Sequence, residues 1–371
     1  MPLLLLFVAL VLYRCDCSNV AKHAHDAHNK HSSTSRTNGV TNSTIVGADN
    51  GCAFTTQYDT TSLVSFPMCL GQNSQDMKNG MSIINLIQSR GYLPTCRILQ
   101  LLLWMSSEVH DHKTIQRDLF VDVGSNIGSC SVHMASLGFP VVAVEPVTQH
   151  VNTIRGTIDL NPSFHIELHH AGIAAQERSA KVNFGHGSRN WGASEFHEVN
   201  STANETFEAE LPLKTFDQLI HSRRISLVKI DCEGCEWDAI KGARKSLKRI
   251  PMIKVELVQP DYRDGNSTVT SQDILKYLQA NGFDLYLDKW LETNLYFGKR
   301  GNDVMDIDKM FGSKKFKIKS DTDTLRSSAK FILEAPINAS TFNRNSFLKV
   351  STDVIAIEKS LSNKLKQYFL H

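Results

Sequence analysis

The chain has 371 residues, a formal net charge of +2 and 41% hydrophobic residues. That length suits one large α/β domain with additions. No long basic block accompanies the near-balanced charge, so electrostatics give no support to nucleic acid as a partner, and no internal repeat points to a solenoid.

The N-terminus opens on an unbroken apolar run, Leu3 to Tyr13. It is shorter than the roughly 20 residues that span a bilayer and has the length of a signal-peptide core. Small residues at Cys15 and Cys17 place a cleavage point near Ser18. Residues 1–17 are therefore expected to be a signal peptide that sends the product into the secretory pathway, lumenal or secreted, with no stable membrane span; an uncleaved anchor is the alternative. Residues 18–75 are rich in Ser, Thr, Asn and His and read as a polar low-complexity linker. The cluster His23, His25, His28 and His31 reads as part of that solvated tract. Helical periodicity returns in residues 76–114, with Pro94 separating two helices that pack on the domain or cover its ligand mouth. The main domain, 115–371, follows.

In that domain an apolar run, Leu119 to Val123, stops at Gly124-Ser125-Asn126, and an amphipathic segment starts near Ile127. This is a buried strand, a tight turn and a helix start. A second strand, Val141–Glu145, ends in an acid about 20 residues beyond the first Gly, where doubly wound folds hold ribose hydroxyls. An adenosine-containing cofactor is expected. A nicotinamide dinucleotide calls for G-x-G-x-x-G, whereas only Gly124 and Gly128 occur here, and Asp122 would oppose a pyrophosphate. S-adenosylmethionine, a sulfonium with an α-amino group and no phosphate, suits Asp122 better. Ser125, Asn126, Glu145, Pro146 and, after the third strand at His165–His170, Ala171 complete the expected cofactor set.

Further along, residues 181–213 suggest short β segments flanking a Gly-rich loop, Asn190 to Ser194. Strands at Leu227–Asp231, Ile253–Leu257 and Phe283–Leu287 alternate with helices at Trp237–Leu247 and Ser271–Ala280. A last strand is expected near Thr352–Lys359, after an insertion near residues 299–344. Alternation of strand and helix predicts an α/β, doubly wound, mostly parallel sheet with its ligand at the switch point between the first and fourth strands. Both the Gly turn and the acidic loop Asp231-Cys-Glu-Gly-Cys-Glu236 end there, if that fold class holds. Six cysteines lie beyond Cys17, and sequons occur at Asn42, Asn200, Asn204, Asn266 and Asn338; both permit secretion.

The segment Lys229-Ile-Asp-Cys-Glu-Gly-Cys-Glu236, followed by Gly242-Ala243, resembles the K-I-D-x-E-G-x-E…G-A signature of the FkbM-type methyltransferases. Val121-Asp-Val-Gly-Ser-Asn-Ile-Gly128, the strand ending at Glu145-Pro146, Asn190-Trp-Gly-Ala-Ser194 and Ile253-Lys-Val-Glu256 are similar to that family's other segments. The resemblance covers about residues 115–290. It implies a class I, Rossmann-like fold and S-adenosylmethionine-dependent methyl transfer, usually to oxygen, with a small-molecule or glycan acceptor. Cys232 and Cys235 depart from it. They read as small buried thiols, or as a disulfide or redox dithiol; zinc lacks a second ligand pair at finger spacing.

Methyl transfer requires alignment of a nucleophile and a group to take its proton. Asp231 and Glu233 are the expected catalytic carboxylates. Asn190, Gly192, Glu236 and Glu256 are expected on the acceptor side, with structural roles open for Glu236 and Glu256. His133 reads as a packed side chain. No metal is assigned, although the three acids of the loop offer a divalent cation an alternative site. Two other functions remain: an NAD-dependent oxidoreductase, and an inactive secreted binding module on the same fold. Oligomeric state is not legible.

Overall fold

The computed structural model describes residues 55–59, 65–70, 83–84, 87, 91–110, 118–186, 194–198, 209–258, 269–288, 322–340, 342 and 351–371. All lie in one unit, Ser43–His371. Strands β1 (Thr55–Asp59) and β2 (Ser65–Cys69) form an antiparallel hairpin. Phe66 and Met68, two apart on β2, are buried with Leu70 in the main core, as period-2 alternation requires. The polar tract expected to run to Gln75 therefore gives way to folded structure by Thr55.

Helix α1 (Pro94–Val109) starts with proline in its first turn, where no N–H is needed. Then β3 (Leu119–Val123), α2 (Ser129–Ser136), β4 (Val141–Glu145), α3 (Thr148–Leu160) and β5 (Ile166–His170) alternate as expected. Next come β6 (Gly172–Ile173), β7 (Arg178–His186), β8 (Ser194–Glu198) and β9 (Ala209–Lys214), which form a separate four-stranded sheet in the order β6-β9-β7-β8.

The main sheet resumes with α4 (Phe216–Ile220), β10 (Ile225–Ile230), α5 (Glu236–Lys241), β11 (Met252–Val258), α6 (Ser271–Ala280) and β12 (Phe283–Leu287). Thr215 and Thr270 begin α4 and α6 with capping boxes completed by Gln218 and Asp273. Helix α7 (Thr322–Leu333), β13 (Pro336–Ile337), β14 (Ser351–Glu358) and α8 (Lys359–Leu370) close the chain. Within the stretch expected as an insertion, α7 buries Ala329, Ile332 and Leu333 in the main core, and β13 pairs with β12.

The eight-stranded sheet runs β5-β4-β3-β10-β11-β14-β12-β13. From β5 to β11 all pairs are parallel, and β14 lies antiparallel between β11 and β12. The doubly wound, Rossmann-like α/β class is thus the observed one. The chain winds outward from β3 to β5 and then restarts beside β3 with β10, so the switch point lies between β3 and β10.

Side-chain alternation splits the core into two layers. Phe120, Leu227, Ile355 and Ile357 face α1, α2, α7 and α8. Val121, Val123, Val228, Ile230 and Val255 face α4, α5 and α6. A Cys96–Cys130 disulfide ties α1 to α2. The helix expected over Trp237–Leu247 stops at Lys241. Gly242 packs so closely on the chain just after β6 that an added Cβ would lie 2.6 Å from the Ala174 carbonyl oxygen, and turns with a short 3-10 segment (Leu247–Arg249) follow. No helix among the described residues is long and apolar enough to cross a membrane.

Candidate active site

The two sequence motifs meet at the switch point. Val123 pairs with Ile230, and the Asp231 N–H donates to the Val123 carbonyl at 3.0 Å. Gly124, at φ +75°, passes directly under this strand end: a Cβ there would lie 1.7 Å from the Asp231 carbonyl oxygen. Only glycine fits both the conformation and the approach. Asn126 is also left-handed, at φ 52°; its side-chain oxygen accepts from the Ile127 N–H at 2.7 Å, and its own N–H donates to Glu145 Oε2 at 2.7 Å. Gly128, at φ +83°, lets α2 sit against Ile154, whose Cγ1 would be 2.8 Å from an added Cβ.

Glu145 thus knits the turn to the second strand end. Its Oε1 accepts from the Val147 N–H at 3.0 Å and lies 3.2 Å from His150 Nδ1. Three of the carboxylate's about four acceptor positions are occupied, leaving one for a hydroxyl. Ser125 Oγ donates to the Asp122 carbonyl at 2.9 Å and shapes the turn. The Ala171 N–H donates to the Glu145 carbonyl at 3.2 Å, and the Pro146 carbonyl accepts from His170 Nε2 at 3.0 Å. These three hold strand ends in place.

Two of the expected contact residues turn inward. Asp122 is 0% exposed, with Oδ1 3.2 Å from Lys229 Nζ and Oδ2 accepting from Ser131 Oγ at 2.7 Å. Residue 122 points into the α2 layer, because alternation sends Val121 and Val123 to the opposite face. Glu236 likewise turns inward at the start of α5, 0% exposed, and accepts from the Gly234 N–H at 2.8 Å. It shapes the acidic loop and does not reach toward an acceptor. Asn190 and Gly192 lie outside the described residues. His133 is buried as expected, with Nε2 3.0 Å from Gln100 Oε1; burial and then the Arg97 charge hold its pKa well below 6.5, so the ring is neutral.

The remaining acids converge. Asp231, Glu233 and Glu256, all half-buried, each bring a carboxylate oxygen within 4.8 Å of the others, a spacing that also suits a cation. Lys229 sets the charge on one side: its Nζ lies 3.2 Å from Asp231 Oδ2 and donates to the Gly124 carbonyl at 2.9 Å. On the other side Lys254 reaches Asp353 and lies 3.7 Å from Asp288 Oδ2. Burial alone would raise the Asp231 pKa, but Lys229, a hydrogen bond from Glu256 and the Lys254 charge bring it down to about 2. Glu256 moves the other way. Burial, then the charge of Asp231 and the bond it shares with Asp231, push it well above 4.5. Asp231 is therefore the ionised member of this pair, and Glu256 holds the proton.

Sequence reading missed Lys229 and Lys254. Their signal is a lysine inside an otherwise apolar parallel strand, Val228-Lys-Ile230 and Ile253-Lys-Val255, where an unpaired charge is intolerable. It also left Cys232 and Cys235 open between thiols and a disulfide; they are a disulfide across the acidic loop.

With this geometry in place, comparison with known proteins decides the family. The family model described as Methyltransferase FkbM domain matches residues 122–285, from Asp122 on β3 through the acidic loop to β12. These residues belong to the FkbM methyltransferase family. The chain is also similar to "Methyltransferase 1" of Beauveria bassiana (strain ARSEF 2860), 22% identical over 142 residues, which is 33% of this chain and 57% of that protein. The match thus spans little more than half of that relative. Two solved structures are similar in part. Precorrin-6y C5,15-methyltransferase from Geobacter metallireducens GS-15 is 14% identical with a TM-score of 0.29, covering 51% of this chain and 73% of that one. Magnesium protoporphyrin IX methyltransferase from Synechocystis PCC 6803, with bound S-adenosylmethionine, is 11% identical with a TM-score of 0.33, covering 78% and 86%.

Proposed function

We propose that the chain is an S-adenosylmethionine-dependent methyltransferase acting on a hydroxyl of a small-molecule or glycan acceptor. The observation that carries this reading is the meeting of the Gly124 turn and the Asp231 loop at the switch point, beside three convergent carboxylates. An acid-lined crevice suits a sulfonium and an α-amino group and repels the pyrophosphate of a dinucleotide. The chemistry of the donor set therefore fits S-adenosylmethionine. Glu145, with one acceptor position left, and the Asn126 turn would hold the ribose, and the ends of β4 and β5 at Pro146 and Ala171 would flank the adenine side.

The cofactor supplies an electrophilic methyl group; the protein must orient the acceptor, exclude water and receive a proton. Asp231, held at about 2, is a poor proton acceptor at neutral pH and suits orientation of the acceptor hydroxyl. Glu256, whose proton affinity is raised, is the better-matched base once deprotonated. Glu233 completes the acceptor wall. Calorimetry with S-adenosylhomocysteine and NAD tests the cofactor: binding of the former is expected, and binding of NAD alone overturns the reading. Incubation with labelled cofactor and an extract of secreted glycans and metabolites then identifies the acceptor.

We also propose that the protein matures in the secretory pathway after cleavage near Ser18. Support comes from the apolar leader and from disulfide bonding at Cys96–Cys130, at Cys232–Cys235 and at Cys69, which suits an oxidising compartment. Asn338 is exposed, and its side-chain oxygen accepts from the hydroxyl of the sequon's Ser340 at 2.7 Å, so a glycan there meets no packed neighbour layer. N-terminal sequencing and an endoglycosidase mass shift check both; a cytosolic product retaining Met1 rejects them.

A further inference from the structure

The Cys232–Cys235 disulfide sits in the one loop that the proposed chemistry depends on. Asp231 is fixed from behind, because its N–H continues the β10 ladder to Val123. Helix α5 is fixed from Glu236 onward, its first bond running from the Ala239 N–H to the Cys235 carbonyl. Between these anchors the backbone takes two successive positive φ values, 53° at Glu233 and 118° at Gly234. Glycine adopts this freely and a glutamate does not. The Gly234 N–H bond to Glu236 spans only half of the turn. The disulfide closes the rest, joining residues whose Cα atoms are 5.5 Å apart and carrying Glu233 at the apex of the ring.

We propose that this disulfide is a positioning element for the acceptor-side carboxylates: it holds Glu233 in its left-handed conformation beside Asp231 and Glu256, and its reduction by a dithiol switches methyl transfer down. The proposal rests on the methyltransferase reading of the site. Cys232 and Cys235 are both half-buried at the loop surface, whereas the other disulfide-bonded cysteines among the described residues, Cys69 and Cys96 at 0% and Cys130 at 3% exposed, lie in the core. A small dithiol therefore reaches the loop pair first. In the exchange, a reductant thiolate attacks one sulfur, the Cys232–Cys235 bond breaks, and the reductant closes on itself as a disulfide. Its two protons and two electrons end on the freed cysteine thiols. The loop then keeps its anchors, and the backbone restraint that the disulfide places on Glu233 at positive φ is lost. A carboxylate displaced by about 1 Å is enough to cost a large factor in rate.

The experiment uses the whole mature chain in oxidised form, after brief dithiothreitol treatment, and as the Cys232→Ala/Cys235→Ala variant. Alkylation with mass mapping is expected to label Cys232 and Cys235 and spare Cys69, Cys96 and Cys130. Amide exchange at residues 232–235 is expected to speed up by about tenfold or more in the reduced protein and in the variant. S-adenosylhomocysteine affinity and the melting temperature should stay close to the oxidised values, because the cofactor side rests on β3 and β4. Methyl transfer to the acceptor extract should fall by about tenfold and return on reoxidation, except in the variant. A merely structural bridge would instead lower melting temperature and cofactor affinity together, and that result overturns the proposal. So does unchanged exchange and transfer with both thiols alkylated. A pair that resists the dithiol overturns the switch, and the variant then decides the positioning role by the same readouts. Failure of the oxidised protein to bind S-adenosylhomocysteine is a separate result: it removes the methyltransferase reading first and this proposal with it.

Discussion

Asp231 and Glu256 illustrate how two chemically similar side chains take different roles. Lys229 and Lys254 lower the first, while burial beside that ionised neighbour raises the second. Linkage fixes the consequences for stability. The depressed Asp231 contributes stability above its unfolded value of 3.8, and this is lost as pH falls toward about 2. The raised Glu256 works oppositely: the folded protein keeps a proton that the unfolded chain surrenders above 4.5, so stability declines as pH climbs toward the folded value. Glu256→Gln keeps a donor for Asp231 without needing a proton. Its melting temperature is expected to gain on wild type as pH rises above 4.5 toward the raised folded value of Glu256, and any rise of the methyl-transfer rate with deprotonation of residue 256 should vanish with it. Parallel melting curves for the two proteins across that range would remove the assignment. Gly124→Ala tests the turn. Its Cβ meets backbone 1.7 Å away, so a loss of about 3 kcal/mol in denaturant unfolding is expected; near wild-type stability would mean that the two strand ends can part. Gly124, Glu145 and Asp231 were legible because each stands at the end of an apolar run. The inward turn of Asp122 and Glu236 was not, because a motif gives position along the chain and only alternation and helix phase give direction.

At the scale of single elements, β10 carries the central cation. Lys229 is 6% exposed and stands between Asp122 and Asp231. Burial opposes its charge, but the two aspartates outweigh burial and raise its pKa. Removing one partner of such a group leaves the others buried and uncompensated. Lys229→Met should therefore destabilise the protein by about 3–5 kcal/mol, and adding Asp122→Asn should restore part of that loss. Chemical denaturation of the two variants decides it, and a double variant no more stable than the single one contradicts the coupling. Element positions were legible where they rest on local pattern: β3, β4 and β12 coincide with their expected ranges. Helix α5 was overextended: regular helix gives way to turns after Lys241, where Gly242 leaves no room for a Cβ beside the Ala174 carbonyl. The hairpin of β1 and β2 was hidden for a similar cause. Its polar alternation looks like linker until Phe66, Met68 and Leu70 are seen to fill a hole in the core.

For the whole molecule, the doubly wound class followed from alternating apolar runs, and the meeting of two motifs about 100 residues apart followed from the class. The place of β14 between β11 and β12 did not, since strand order is a long-range choice on which neighbouring residues are silent. Nor did the sequence say how α1 joins the domain. It is built into the layer that covers one face of the sheet and is stapled to α2 by Cys96–Cys130 across 34 residues of chain. Helix α2 begins directly after the Gly128 turn, so the staple braces that turn from behind. A bridge over a loop of that length restricts the unfolded chain and is expected to contribute about 2–4 kcal/mol. Cys96→Ala/Cys130→Ala should lose that amount in denaturant unfolding. It should also weaken S-adenosylhomocysteine binding only slightly, because α2 is still held by the core contacts of Val132 and Met134. The variant separates bracing from packing. If stability falls as stated while affinity holds, α1 serves the fold. A large loss of affinity at small cost in stability would instead make the staple part of the proposed cofactor site, and α1 would then serve binding as well as the fold.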